Sequence, residues 1–343
     1  MIVANDKRRA GVPPSAERPK VSVVTCAYNA APWIGQTLDS VFAQTFTDYE
    51  VIVIDDGSTD NTREIVQQFA ERVRLIDQPH RGVAAARNAG IAGSRGELVV
   101  QLDADDLWLP TALATLVPAF DDPTVGLACS DVLVWDERTP WDRCPRYWER
   151  IRRPDADTVA LAQLLHENFV PNLTCLVRRS LLERVGGYDE RLPPVEDYDM
   201  WLRIALAGGK IRCIDQVQGV YRVRAGSLST DLGVKLDSVL RVYEKVISTG
   251  RLAPEQRRLV RLEARRRRSG YRTAAVNYLL AGQVAKARRY FWRAFTLVPY
   301  DPRNLLGLCL AWVAPQTAAR LASALRRRRE RSDLADLYPG RLE

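Results

Sequence analysis

Residues 96–110 read GELVVQLDADDLWLP and place three carboxylates, Asp103, Asp105 and Asp106, directly after the apolar run 98–100. The apolar run reads as a buried strand. Residues two apart in extended backbone share a face, so Asp103 and Asp105 set two negative charges side by side. A cation or a set of donors has to relieve that repulsion, and a hard divalent cation holding a diphosphate is the simplest neutraliser. The plain alternative is a solvated turn before a helix start at Leu109-Pro110. Further along, Glu196, Asp197 and Asp199 lead into an amphipathic pattern over 197–207. On its own that cluster is the acid-rich first turn of a good helix.

The elements around the first cluster have a regular order. Short β-branched or apolar runs at 21–25, 51–54 and 73–77 precede the 98–100 run. Between them, 31–44, 63–73 and 82–94 carry apolar or small residues at helical spacing. Strands alternating with helices of about a dozen residues indicate an α/β fold with a mostly parallel sheet flanked by helices. Ligands in such sheets bind outside the carboxyl ends of the strands. Ala27-Tyr28-Asn29, Asp55-Asp56 and residues 103–106 then fall on one rim.

Residues 121–215 add short strands at 125–135 and 173–179, then a loop with Gly-Gly and Pro-Pro before the acidic helix. Strand-like KIRCID and VYRVR follow, and AGSLST reads as a polar loop. From about 233 the pattern is helical throughout, with a second helix starting at Pro254. The stretch from 274 to 302 resembles one tetratricopeptide-type hairpin and no more than one, which makes it a packing module. The expected division is a flexible leader at 1–19, an α/β domain at 20–232 and an all-α module at 233–343.

The charge is divided along the same line. The whole chain of 343 residues carries +8, yet residues 233–343 hold 24 basic and 9 acidic side chains, so an acidic body precedes a basic end. Six cysteines are scattered without a CxxC pair, which argues against a zinc site or disulfide framework and suits a reducing, cytoplasmic compartment. Two histidines exclude a histidine-rich metal site. The leader lacks an apolar stretch and does not read as a signal peptide. The longest apolar run, 305–314, stops after ten residues and is too short to cross a membrane.

Taken together, VSVVTCAYNA, VIVIDDGSTDNT, GVAAARNAGI, LDADD and VEDYDMWLR, in this order, resemble family 2 glycosyltransferases with the GT-A fold, over roughly residues 20–227. The resemblance implies an inverting enzyme that moves a sugar from a nucleotide-diphosphate sugar, a UDP-sugar first among them, to a hydroxyl acceptor. It makes Ala27, Tyr28, Asn29, Asp56, Arg87 and Asp103 nucleotide-binding, with Tyr28 stacking on the base and Asp56 accepting from the base imide. Asp55 supports the turn, and Arg87 stands near the diphosphate. Asp103 and Asp105 match the DxD pair, with Asp105 as metal contact for Mg²⁺ or Mn²⁺. Asp106 is expected to cap the following helix. Glu196 and Asp197 match the catalytic acidic pair, with Asp197 as general base, and Trp201 and Arg203 are expected to pack and pair within that helix.

One departure stands out. Where many relatives carry a histidine after the acidic helix, this chain reads Tyr221-Arg222-Val223-Arg224. Arg224 cannot ligate a metal, and the expectation is that it pairs with a phosphate oxygen in place of a third ligand. The basic end suggests an anionic membrane surface contacted by the arginines at 265–268 and 326–329, with a lipid-linked glycan as acceptor. That would make the enzyme peripheral on the inner face of the membrane. Two other classes share parts of this pattern. A nucleotidyltransferase that forms nucleotide sugars should show a Gly-rich phosphate loop near the N-terminus, absent from VSVVTCAYNAAPW, and a non-catalytic binder has no need of clustered acids. The arginine runs lack the interleaved aromatics of a nucleic-acid binder.

Overall fold

The computed structural model describes residues 18–136, 139–140, 143–151, 158–159, 161–224, 231–297, 299–317, 319–320 and 323–324. Residues 1–17 of the leader, the AGSLST segment and the arginines at 326–329 lie outside the described residues. Two compact units are present, Met1–Leu228 with Lys245–Gln256 and Ser229–Glu244 with Arg257–Glu343.

In the first unit the order is β1 (Val21–Ala27), α1 (Ile34–Phe42), β2 (Tyr49–Asp55), α2 (Thr62–Gln67), β3 (Val73–Asp77), α3 (Val83–Gly93) and β4 (Leu98–Gln101). After these come β5 (Leu107–Trp108), α4 (Ala112–Leu116), β6 (Val125–Asp136), α5 (Tyr147–Arg150), β7 (Thr158–Val159), α6 (Leu161–His166), β8 (Cys175–Arg178), α7 (Arg179–Val185), α8 (Glu196–Leu206) and β9 (Lys210–Val223). They form one sheet ordered β3-β2-β1-β4-β8-β6-β9-β5, with β7 also on β9. The first four strands pair in parallel, as the β–α alternation predicts. The second half is mixed: β8 is antiparallel to both β4 and β6, β9 is parallel to β6, and β5 is antiparallel to β9. KIRCID and VYRVR are the two ends of a single 14-residue strand, β9.

The parallel strands are buried on both faces, which is why they read as unbroken apolar runs. Val21, Val23, Ile52, Val53, Leu98 and Val100 have no exposed surface, and each such side chain contributes about 1.5–3 kcal/mol relative to exposure. Helix α3 is built from small residues because it lies hard against the sheet. A Cβ on Gly90 would come within 2.1 Å of Val24 Cγ1, so only glycine lets the helix approach β1 this closely. That approach carries Arg87, on the same helix, to the carboxyl-end rim.

The second unit is helical in its described residues. It takes in much of α9 (Leu232–Ser248) and α10 (Pro254–Ser269), then α11 (Tyr271–Leu280), α12 (Val284–Leu297) and α13 (Pro302–Val313). Pro254 opens α10, and Gly282 sits at the α11–α12 turn, where the sequence pattern placed them. Asp237 ties this unit together, accepting from the Tyr271 and Tyr290 hydroxyls at 2.8 Å each and pairing with Arg293.

Candidate active site

The strand ends meet as the parallel alternation requires. Chain turns after β1, β2 and β4 bring Tyr28, Asp56 and residues 103–106 to one edge of the sheet. Ala27 is buried, and its carbonyl accepts from the Asp56 N–H at 2.8 Å. Asn29 holds the neighbouring loop: its N–H donates to Ser58 Oγ at 3.0 Å and its Oδ1 accepts from the Thr59 N–H at 2.8 Å. Asp55 accepts from the Ser58 N–H at 3.1 Å and supports the turn, as expected. Tyr28 remains half exposed.

Asp56 lies in a socket of neutral and backbone donors. Its Oδ1 accepts from Gln78 Nε2 at 2.6 Å and the Arg81 N–H at 2.9 Å, and its Oδ2 accepts from the Gly82 N–H at 2.8 Å. His80 Nδ1 lies 2.9 Å from the same Oδ2, and the imidazole stacks on the Tyr28 ring with centroids 4.0 Å apart. His80 and Gln78 were not singled out from the sequence. The β3 end is the fourth parallel strand end on the rim, and its position alone could have drawn attention to them.

The acid cluster is cross-braced by arginines. Arg87 is 5% exposed and reaches two carboxylates: its guanidinium donates to Glu196 Oε1 at 2.5 Å and to Asp103 Oδ1 at 2.8 Å. Burial raises the Glu196 pKa, and nearby Asp197 adds to this against the opposing pull of Arg87. Burial alone would lower the Arg87 pKa, but Asp103 and Glu196 raise it well above its ordinary value. Two buried atoms of this bridge, Arg87 Nε and Glu196 Oε2, have no hydrogen-bond partner among the described residues. Buried polar atoms are normally satisfied, so these two point to a bound group.

Asp105 sits deeper than Asp103, and burial and the Asp103 charge raise its pKa against Arg224. Arg224 Nε is 2.5 Å from Asp105 Oδ2, and the guanidinium packs 4.1 Å above the Trp33 ring centroid. The residue standing where a ligand was expected is thus seated on Asp105 of the LDADD segment itself. Asp106 does not cap a helix. Strand β5 follows it, its side chain is buried, and its Oδ1 accepts from the Arg222 N–H at 2.9 Å on β9. The sequence expectation failed because the antiparallel β5–β9 pairing draws Asp106 inward. Arg222 Nε also donates to the Asp105 carbonyl at 2.9 Å, which fixes the loop from a strand 117 residues away.

Helix α8 brings the second acid pair to the rim at its first turn. Asp197 Oδ1 accepts from the Tyr198 N–H at 2.6 Å, and Asn168 Nδ2 approaches Asp197 Oδ2 at 3.4 Å. Trp201 is buried, while Arg203 binds Asp199 and the carbonyls of Val185 and Gly187, as the helix pattern implied. Lys245 bridges Asp189 and Asp199 at 2.9 Å each. The structure therefore joins Asp103, Arg87 and Glu196 by direct contact, joins Asp105 to Arg224, and places Tyr28 beside Asp56 through His80.

As oxygen donors, Asp103 and Asp105 suit a hard divalent cation. Among the described residues no three His, Cys, Asp or Glu side chains form a cation cage of their own. Such a pair fits a cation whose remaining ligands come from a diphosphate and water.

The sequence model of glycosyl transferase family 2 matches residues 22–186, and a second model, glycosyltransferase like family 2, matches 144–246. An uncharacterized glycosyltransferase of Nostoc sp. is 41% identical over 219 residues, 61% of this chain and 66% of the relative. The chain spans 58% of each of two uncharacterized Rickettsia glycosyltransferases. Succinoglycan biosynthesis protein ExoO of Rhizobium meliloti is 30% identical over 80% of both chains. Escherichia coli WfaP, a UDP-Glc:alpha-D-GlcNAc-diphosphoundecaprenol beta-1,3-glucosyltransferase, is 29% identical over 62% of this chain and 80% of its own. Among solved structures, Staphylococcus aureus TarS with UDP-GlcNAc superposes with TM-score 0.62 at 20% identity, covering 90% of this chain and 92% of TarS. The mannosyltransferase PcManGT of Pyrobaculum calidifontis, with GDP-Man and Mn²⁺, gives 0.59 at 22% identity over 96% and 90%. These likenesses show a GT-A fold, and the sequence matches show that this chain belongs to glycosyltransferase family 2.

Proposed function

We propose that the chain is a metal-dependent, inverting hexosyltransferase that moves a sugar from a nucleotide-diphosphate sugar, a UDP-sugar first, to a hydroxyl acceptor. One observation carries the reading: Arg87 joins Asp103 of the LDADD segment to Glu196 of the acidic helix, and its own buried Nε has no hydrogen-bond partner among the described residues. A donor whose diphosphate lies over Asp103 and Asp105 would meet a guanidinium already held at the chemistry end.

In this reading Tyr28 stacks on the base and the Asp56 loop receives its edge. Asp105, with Asp103 beside it, would hold Mg²⁺ or Mn²⁺, which would supply charge compensation for the leaving diphosphate. Arg224 gives up Asp105 and pairs with a phosphate oxygen, and Arg87 steadies the developing negative charge from the opposite side. Asp197 takes the proton from the acceptor hydroxyl as its oxygen forms a bond to the anomeric carbon. The bond from that carbon to the phosphate oxygen breaks, and the electron pair leaves with the nucleoside diphosphate. A single displacement of this kind inverts the anomeric configuration.

The acceptor is proposed to be a lipid-linked glycan, in surface polysaccharide or glycolipid assembly. WfaP acts on such an acceptor, and ExoO belongs to succinoglycan biosynthesis. An anionic membrane surface would then be met by the basic helices, with the arginines at 265–268 as the described part of that charge. No described helix is long and apolar enough to cross a membrane. The test is donor turnover across UDP-, GDP- and dTDP-sugars, with and without EDTA, alongside Asp197→Asn. Turnover of one donor class that EDTA and Asp197→Asn each abolish is expected. Turnover indifferent to both would overturn the mechanism.

A further inference from the structure

Helix α13 is apolar on two opposite faces. Asn304, Leu308 and Ala311 face inward, and Gly307 lies against the Phe291 ring of α12, where a Cβ would come within 2.3 Å of Cε1. The other face carries Leu305, Leu306, Cys309, Trp312 and Val313, all exposed and one helical stripe by spacing. No charged residue interrupts that stripe. Trp292 on α12 is also exposed, as is Tyr300 in the α12–α13 connection. Seven of the ten large apolar side chains exposed among the described residues lie between 292 and 313, so the exposure is concentrated and not scattered. Contiguous apolar exposure of this kind marks a surface that binds something.

The charge around the stripe says what. Residues 257–324 hold fourteen lysines and arginines against two acids. Arg288 lies with its guanidinium 4.5 Å from the Trp312 ring centroid while Nε donates to the Ala311 carbonyl at 3.0 Å. Arg289 and Arg303 are exposed on the same two helices. Tryptophans and leucines on one face with arginines flanking them make the pattern of a helix that lies in a lipid–water interface, aromatic rings at headgroup depth and guanidinium groups on the phosphates.

We propose that the α12–α13 face inserts into the headgroup layer of an anionic bilayer. The proposal rests on the reading of a membrane-adjacent transferase. It adds a specific surface: an apolar wedge of Leu305, Leu306, Trp312 and Val313 on α13, with the arginines as its flanks and not the whole attachment. A second copy meeting this face with the same face would set this density of like charge against itself, which favours the lipid.

The test uses the full chain with vesicles of phosphatidylcholine alone or mixed with phosphatidylglycerol. Expected is sedimentation with the anionic vesicles and quenching of tryptophan fluorescence by brominated acyl chains. A variant carrying Leu306→Glu and Trp312→Glu should lose binding by about ten-fold or more, since two inserted apolar groups become charged. Its circular dichroism and donor turnover should stay unchanged. Equal vesicle binding by the variant would overturn the insertion and leave charge alone as the attachment. A wild-type dimer that the variant splits, with no vesicle binding by either, would overturn it in favour of a second copy. Absence of donor turnover in both chains would count against the transferase mechanism while leaving the vesicle result to stand.

Discussion

The two ends of the candidate site hold their carboxylates by different means. At the base end, Asp56 is ringed by two backbone N–H groups, an amide and an imidazole. At the chemistry end, Asp103, Glu196 and Asp105 are held by the guanidinium groups of Arg87 and Arg224. Backbone donors are fixed by the fold and cannot follow a ligand. Guanidinium groups on side chains can exchange a carboxylate for a phosphate, because both offer oxygens to the same planar fork. Under the proposed function, the difference would separate a preformed socket for a nucleoside from an exchangeable brace for a diphosphate. Substitutions at the chemistry end should therefore act on turnover and stability, and those at the base end on affinity.

The largest effect belongs to Asp197→Asn. Loss of a general base typically costs about 10²–10⁴-fold in rate. Donor affinity, measured by calorimetry, should hold, since Asp197 makes its described contacts to Tyr198 and Asn168 within the α8 end of the site. A fall in donor affinity matching the fall in kcat would erase the division between the two ends.

Arg87→Met comes next. It leaves Asp103 and Glu196 facing each other without their shared cation, and breaking a buried pair in this way costs about 3–5 kcal/mol. Urea unfolding should show that loss. Adding Glu196→Gln should recover part of it by removing the orphaned charge. If the double variant were no more stable than the single one, Arg87 would be acting as packing and not as a brace.

The base end should answer on a smaller scale. Asp56→Asn turns one acceptor oxygen into a donor against N–H groups that already donate, leaving buried groups unpaired at about 1–3 kcal/mol. Donor KM should rise with kcat nearly constant. A fall in kcat with KM unchanged would mean that the Asp56 loop reaches the reacting atoms.

How much of this was written in the chain differs between the same two ends. The parallel half of the sheet is legible because β–α alternation is local, and that alternation by itself puts Tyr28, Asp56 and the LDADD segment on one rim. The antiparallel half is not, because the partners of β8 and β9 lie tens of residues away and leave no periodic trace. That is why Asp106 reads as a helix cap and instead serves Arg222 from across the β5–β9 pair. The resemblance marks Arg87 as a basic residue expected near a diphosphate. Its bridge from Asp103 to Glu196 was hidden, since it joins side chains 16 and 109 residues apart. His80 was overlooked for a related reason: a single imidazole carries no spacing pattern, and only the stacked Tyr28 ring gives it meaning.

His80 also gives the finest test of the contrast. In the structure its ring stacks on one face of Tyr28, and a nucleoside proposed to stack on that same face would compete with it. Removing the ring by His80→Ala forfeits a stacked pair worth about 0.5–1.5 kcal/mol. The same amount is no longer needed to clear the Tyr28 face, so UDP should bind roughly two- to ten-fold tighter by calorimetry while kcat holds. Weaker binding would reverse the assignment: His80 would then be the second wall of the base cleft, with the nucleoside inserting between the two rings and not displacing one of them.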